Sequence, residues 1–340
     1  MNANNQFNRA FMKRNSRENL RGKYGAALVA VLLAQISSAL FGGIARLLSN
    51  PIISTVPANI TPNRFNTNFD LYDKLRAVLG DWIETFMANR LLLFALIFLA
   101  IVLGSMYSLF IGNMIQIGLK RWFLRASNRF YPAPSMEPLF LSFKRGRYMA
   151  TFKAASWKWM WLFVWSIPFI LCNILVFTPI VLLIDAYRTT GASNISPELI
   201  DRVLNAYGLP RFFYSPGFFA VVGVVMIVFM IILQFKRYQY KMTDYILADN
   251  PHIGTRRALT LSKLMSKGLL WRFFVLDLSF AGWFILASMF ICLPGISVIF
   301  VMPYYEATWV EAYKNRRDYL VACQELTMEE LGYVRMWSGS

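Results

Sequence analysis

Asp277 and Glu306 sit where carboxylates are rare. Each lies in a run otherwise fit for the interior of a lipid bilayer, WRFFVLDLSFAGW and ISVIFVMPYYEATWV. There an unpaired carboxylate is costly, and it marks a site by default. Two such groups that converge cannot both ionise cheaply, so they share a proton, hold a cation or draw in a basic side chain. Ser279, Tyr304 and Thr308 add hydroxyls nearby. Pro303 removes a backbone donor and frees a carbonyl near Ile299, as in the broken helices of transporters. Asp277, Glu306, Ser279, Tyr304 and Thr308 therefore form the candidate substrate- or ion-binding set. A structural alternative stays open: both carboxylates bond to Ser279, Trp283, Tyr304 or backbone, or reach the inner interface beside Arg272.

Other chemistry lacks its parts. His252 is the only histidine, which excludes an HExxH site or a zinc site built from several histidines. No GxSxG gives it a nucleophile to serve. Walker A, EF-hand and Rossmann patterns are missing, and Cys172, Cys292 and Cys323 have the spacing of neither a disulfide framework nor a zinc site. No catalytic residue, metal or cofactor is expected, and the chain reads as non-enzymatic.

The elements that must position the carboxylates are membrane helices. The 340 residues are 57% hydrophobic and 16% charged, with mean hydropathy +0.44, well above a soluble domain. Apolar runs near the twenty-residue membrane requirement fall at about 24–48, 91–119, 159–184, 217–235, 269–293 and 295–313. The pattern predicts an all-α polytopic bundle of about six transmembrane helices in a single domain, 1–340. The first run is too long and too poorly ended for a signal peptide and reads as a retained helix. The last two spans meet at the CLPG turn, so they form an antiparallel hairpin. Positions 277 and 306 are equidistant from that turn and share a depth, roughly 12–14 Å from the inner helix ends.

Charge supplies the topology. Of the 35 Lys and Arg, 27 fall before the first span, at 120–158, at 236–272 and after 311. That alternation is the positive-inside pattern and puts both termini in the cytoplasm. The net charge of +17 is thereby absorbed by topology and by contact with anionic lipids of the inner leaflet, and nucleic-acid binding is not expected.

Short amphipathic helices complete the picture. Residues 1–23 place Phe7, Ala10 and Phe11 at helical spacing among basic residues, with Asn15 and Glu18 as a capping-box-like pair. The outer loops 49–90 and 185–216 each hold a helix pattern, the second starting at Ser196 and Pro197 and ending at Gly208. The inner segment 236–268 holds another, capped by Thr255 and ended by Gly268; residues 314–340 form a cytoplasmic tail. Gly104, Ser108 and Gly112 recur every four residues and make a helix-packing groove, a place for a neighbouring helix or a membrane protein partner. The tryptophans of WKWMWLFVW read as an interfacial belt.

The chain resembles a bacterial membrane family known as domain of unknown function 975. The likeness rests on Tyr245 and Pro251 of YILADNP, on Ser262, Met265 and Gly268 of LSKLMSKG, and on Asp277 to Trp283. It continues through Gly295, Pro303, Tyr304, Thr308 and Tyr313, with Ser16 to Ala27 adding an N-terminal part. The resemblance implies a multi-span helical protein of the bacterial cytoplasmic membrane and no particular activity. Two functional expectations remain: binding or transport of a small cationic or amphipathic substrate at the carboxylates, or a structural or accessory subunit docking a partner through the Gly104, Ser108 and Gly112 groove.

Overall fold

A computed structural model of the chain describes residues 7–36, 90–189, 201, 204–208, 210–289 and 296–333, and the described residues are helical with no strand. We number the helices α1 Arg9–Leu20, α2 Tyr24–Ile36, α3 Arg90–Tyr107, α4 Asn113–Ala126, α5 Glu137–Phe140 and α6 Tyr148–Thr189. They continue as α7 Pro216–Lys241, α8 Thr243–Asp249, α9 Thr255–Ser266, α10 Leu270–Met289 and α11 Ile296–Ala322. Two compact units are present, Ile36–Ser108 and the remainder. The first contains α3. The second contains the other helices and, with them, both candidate carboxylates.

Four helices are long and apolar enough to cross a membrane: Phe98–Ala126, Tyr148–Leu182, Pro216–Asp249 and Leu270–Ala287. The expected count of about six is not reached among the described residues. The first candidate is described only as far as Ile36. The sixth, α11, is a 27-residue helix that carries Glu306, Glu311, Lys314, Arg316, Arg317 and Asp318, too much charge for a lipid-facing segment. The burial pattern explains it. Residues 306 to 313 are buried without a break, and a helix covered on every side is a central core element.

Around that axis the bundle has two ends of different character. At the packed end, Trp122 and Phe123 of α4, Tyr245 and Ile246 of α8, Phe273 and Leu276 of α10 and Trp309 and Tyr313 of α11 share one core. At the other end the long helices present exposed apolar side chains, such as Val221, Val224 and Ile227 of α7, Ile174 and Phe177 of α6 and Ile285 and Leu286 of α10. A surface that apolar is covered by lipid in a folded membrane protein.

Helix α1 differs from its expectation. Its cap is Asn8, whose Oδ1 accepts from the backbone N–H of Ala10 and Phe11, so Asn15 and Glu18 fall inside the helix. Its buried stripe is Met12, Ser16 and Leu20, whereas Ala10 and Phe11 are exposed. The reason is a protein partner: α1 lies along α11, where Ser16 meets Thr308 at 3.0 Å and Asn19 donates to Glu311 at 3.0 Å.

Helix α9 begins at Thr255, with Gly254 at the cap position (φ 87°), and Gly268 follows its end at φ 74°. Gly208 likewise has a positive φ, 62°, after a helical turn. The helix pattern expected in the first outer loop, the start of the second one at Ser196 and the CLPG turn lie outside the described residues. Helix α11 continues through Pro303. Close to the break in its ladder, the Tyr24 hydroxyl donates to the carbonyl of Phe300.

Candidate functional site

Asp277 comes off α10 on the side facing α11 and α7. Residues 305 and 309 of α11 are one turn apart and share a face, so Tyr305 and Trp309 both reach it. Asp277 Oδ1 accepts from Trp309 Nε1 at 2.9 Å and from the Tyr305 hydroxyl at 3.0 Å. Lys241, the last residue of α7, donates to both carboxylate oxygens at 3.2 Å and to the Tyr305 oxygen at 2.8 Å. Its ammonium also lies 3.4 Å from the centre of the Trp309 ring, a cation–π contact. The ammonium is thus held by one carboxylate, one phenol and one indole face.

Glu306, next along α11 from Tyr305, points to a different neighbour. Lys120 of α4 donates to its two oxygens at 2.5 and 2.6 Å, and the Tyr245 hydroxyl of α8 donates to Oε2 at 3.3 Å. Side-chain exposure is 5% for Glu306 and 13% for Lys120, so this pair is withdrawn from solvent. The Asp277 and Lys241 side chains keep 24% and 23%, and theirs is the more accessible pair. Each carboxylate has its own lysine, and the two pairs stand side by side on α11.

A third carboxylate continues the row toward the packed end. Tyr245 stacks on Tyr313 with centroids 5.5 Å apart. The Tyr313 hydroxyl donates to Asp249 at 2.6 Å and the Tyr333 hydroxyl to the same carboxylate at 2.9 Å. Burial, followed by the neighbouring Asp249 charge, pushes the Tyr333 hydroxyl up to about 12. Asp244 pairs with Lys158 at 2.5 Å.

The other members of the candidate set point elsewhere. The Ser279 hydroxyl bonds the Leu276 carbonyl of its own helix, and its carbonyl accepts from Lys13 at 3.3 Å. Tyr304 packs its ring against Phe280 and under Arg17. Thr308 donates to the Tyr304 carbonyl at 2.8 Å and meets Ser16. These three hold α1 in place, while Lys241, Tyr305 and Trp309 surround Asp277 and Lys120 and Tyr245 surround Glu306.

Reading from the sequence missed the two lysines. Lys120 directly follows an apolar run and Lys241 lies six residues past another, and both fall within the charge count of basic loops. The available signal was helical register: Lys241 is flanked by Tyr238 and Tyr245 at i−3 and i+4, an aromatic face that a solvated lysine does not need.

Gly104 lies in α3, and Ser108 and Gly112 bound a π-helical turn between α3 and α4. A π turn takes more residues than an α turn, so the strict four-residue register of the expected groove is broken before Gly112. The tightest backbone approach at a described glycine is at Gly118 of α4, where an added Cβ would fall 2.0 Å from the Leu139 carbonyl oxygen of α5. Among the described residues, no group of three or more His, Cys, Asp or Glu could hold a metal ion.

Comparison with known proteins gives one match. The family described as Protein of unknown function (DUF975) matches residues 7–318. No curated protein and no solved structure matches significantly.

Proposed function

The chain belongs to that family, and as the family description carries no activity, we propose a function from the site: a non-enzymatic, multi-pass protein that binds or moves a small cationic or amphipathic substrate at its intramembrane carboxylates. In this reading the protein sits in the bacterial cytoplasmic membrane with both termini inside. The observation that supports it is the Lys241 ammonium, enclosed by Asp277, Tyr305 and the face of Trp309. A carboxylate joined to an aromatic face is the chemistry that recognises organic ammonium groups. Here a tethered ammonium occupies the position that a substrate ammonium would take, and the partial exposure of the pair gives an entrant a way to compete with it.

The test removes the tethered competitor. Calorimetry with butylammonium on the full chain in detergent should show tighter binding, by at least about tenfold, in Lys241→Met, because the internal ion no longer fills the cage. Binding should disappear in Lys241→Met/Asp277→Asn, which has no carboxylate. If both variants bind equally or not at all while remaining folded, the reading is wrong and the pairs serve to hold helices together.

A further inference from the structure

We infer that the groove between α1 and the paired α10 and α11 binds the headgroup of an anionic phospholipid. This does not depend on the carboxylate reading. The groove is open, has a volume of about 950 Å³, and is lined by Lys13, Arg17 and Arg21 on one wall and by Trp283, Phe300 and Tyr304 on the other.

The basic wall follows from spacing. Residues 13, 17 and 21 recur every four positions and share a face of the helix and its end. The one carboxylate at this rim, Glu18, is engaged by Arg129 at 2.9 Å and Arg14 at 3.6 Å, so the groove retains a positive field. Two of the cations are already positioned. The Lys13 ammonium bonds the Ser279 carbonyl and lies 4.2 Å from the centre of the Phe280 ring, and Arg17 stands over Tyr304. Cations held this way lose little freedom when an anion arrives.

The opposite wall decides which anion. Trp283 and Phe300 are 58% and 54% exposed and continue into the apolar end of the bundle at Ile285 and Leu286. A free phosphate would use the cations and leave both aromatic rings uncovered. A phospholipid uses both walls, with its phosphate between the cations and its acyl chains along Trp283 and Phe300. Basic side chains beside an exposed tryptophan that adjoins an apolar surface are the arrangement that matches this ligand.

The test is native mass spectrometry of the full chain, released from a nonionic detergent, with dioleoyl phosphatidylglycerol or dioleoyl phosphatidylcholine. The chain should retain the anionic lipid in preference to the zwitterionic one. Arg17→Gln/Arg21→Gln should weaken that retention by about fivefold per arginine. Arg145→Gln/Arg256→Gln removes the same charge at two exposed positions outside the groove and should leave it unchanged. Trp283→Ser alters an exposed side chain without touching α1, and should also weaken retention, which covers the case in which the arginine pair undocks α1. Equal loss in both arginine pairs would mean diffuse electrostatics and overturn the inference. So would displacement by inorganic phosphate with Trp283→Ser unaffected, which would mark a site for a free anion.

Discussion

The Lys120–Glu306 pair permits a quantitative test of how the packed end is held together. With contacts of 2.5 and 2.6 Å and an effective dielectric of ~20, the gross attraction is about 6 kcal/mol. Desolvation of both ions offsets much of it, and the side-chain exposures of 13% and 5% make that penalty large. What survives is asymmetric. Lys120→Met strands a buried carboxylate and should cost about 3–5 kcal/mol. Lys120→Met/Glu306→Gln removes both charges and keeps an acceptor for the Tyr245 hydroxyl, so it should return to within about 1 kcal/mol of the parent. The assay is a double-mutant cycle on the purified chain in mixed micelles, read from unfolding midpoints against a denaturing detergent, with Glu306→Gln completing it. With Lys120→Met at about 3–5 kcal/mol and the double variant within about 1 kcal/mol of the parent, the coupling should be at least about 2 kcal/mol plus whatever Glu306→Gln costs alone. If Lys120→Met alone costs less than about 1 kcal/mol, or the double variant does no better than the worse single one, then the pair is solvated and the reasoning fails.

Two further outcomes are expected. Gly118→Ala puts a methyl group 2.0 Å from the Leu139 carbonyl oxygen and 2.6 Å from its carbon; backbone cannot rotate aside, so the variant should lose at least about 1–3 kcal/mol, and an unchanged unfolding midpoint would show that α5 does not pack on α4 as described. Tyr333 is raised from 10.0 to about 12, first by burial and then by Asp249. Stability from its protonated hydroxyl is therefore complete below about pH 10 and lost as pH rises through about 12. Tyrosinate absorbance of the parent minus that of Tyr333→Phe should show this group ionising near 12, and ionisation near 10 would mean that the turn at 329–331 is not docked.

The apolar runs were legible in the sequence because lipid imposes length and composition together, and four of them are helices of the required kind. Asp277 and Glu306 were legible because they were out of place. Their partners were not, because Lys120 and Lys241 sit where positive charge is expected at a span end, and counting by loops cannot separate a topological lysine from one turned inward. Helix α11 misled for a related reason. A central helix buried by protein and a helix buried by lipid both read as apolar, and only the charged residues past Glu306 separate them. The face of α1 was misjudged because its buried stripe contains Ser16, which a hydrophobicity pattern discards and which Thr308 of α11 makes use of.

The bonds from α1 to α11 carry a consequence for how the protein is made. Ser16 and Thr308, like Asn19 and Glu311, are separated by 292 residues. At about 5–20 residues per second, a ribosome takes roughly 15–60 s to supply the second partner after the first. Within that interval Lys120 and Lys241 emerge before either Asp277 or Glu306. The nascent bundle therefore waits with its cations unmatched, and the final two helices bring the acids that close it. A chain truncated before residue 277 would keep both Lys120 and Lys241 and lose the carboxylates that neutralise them, leaving an intermediate that quality-control proteases should recognise.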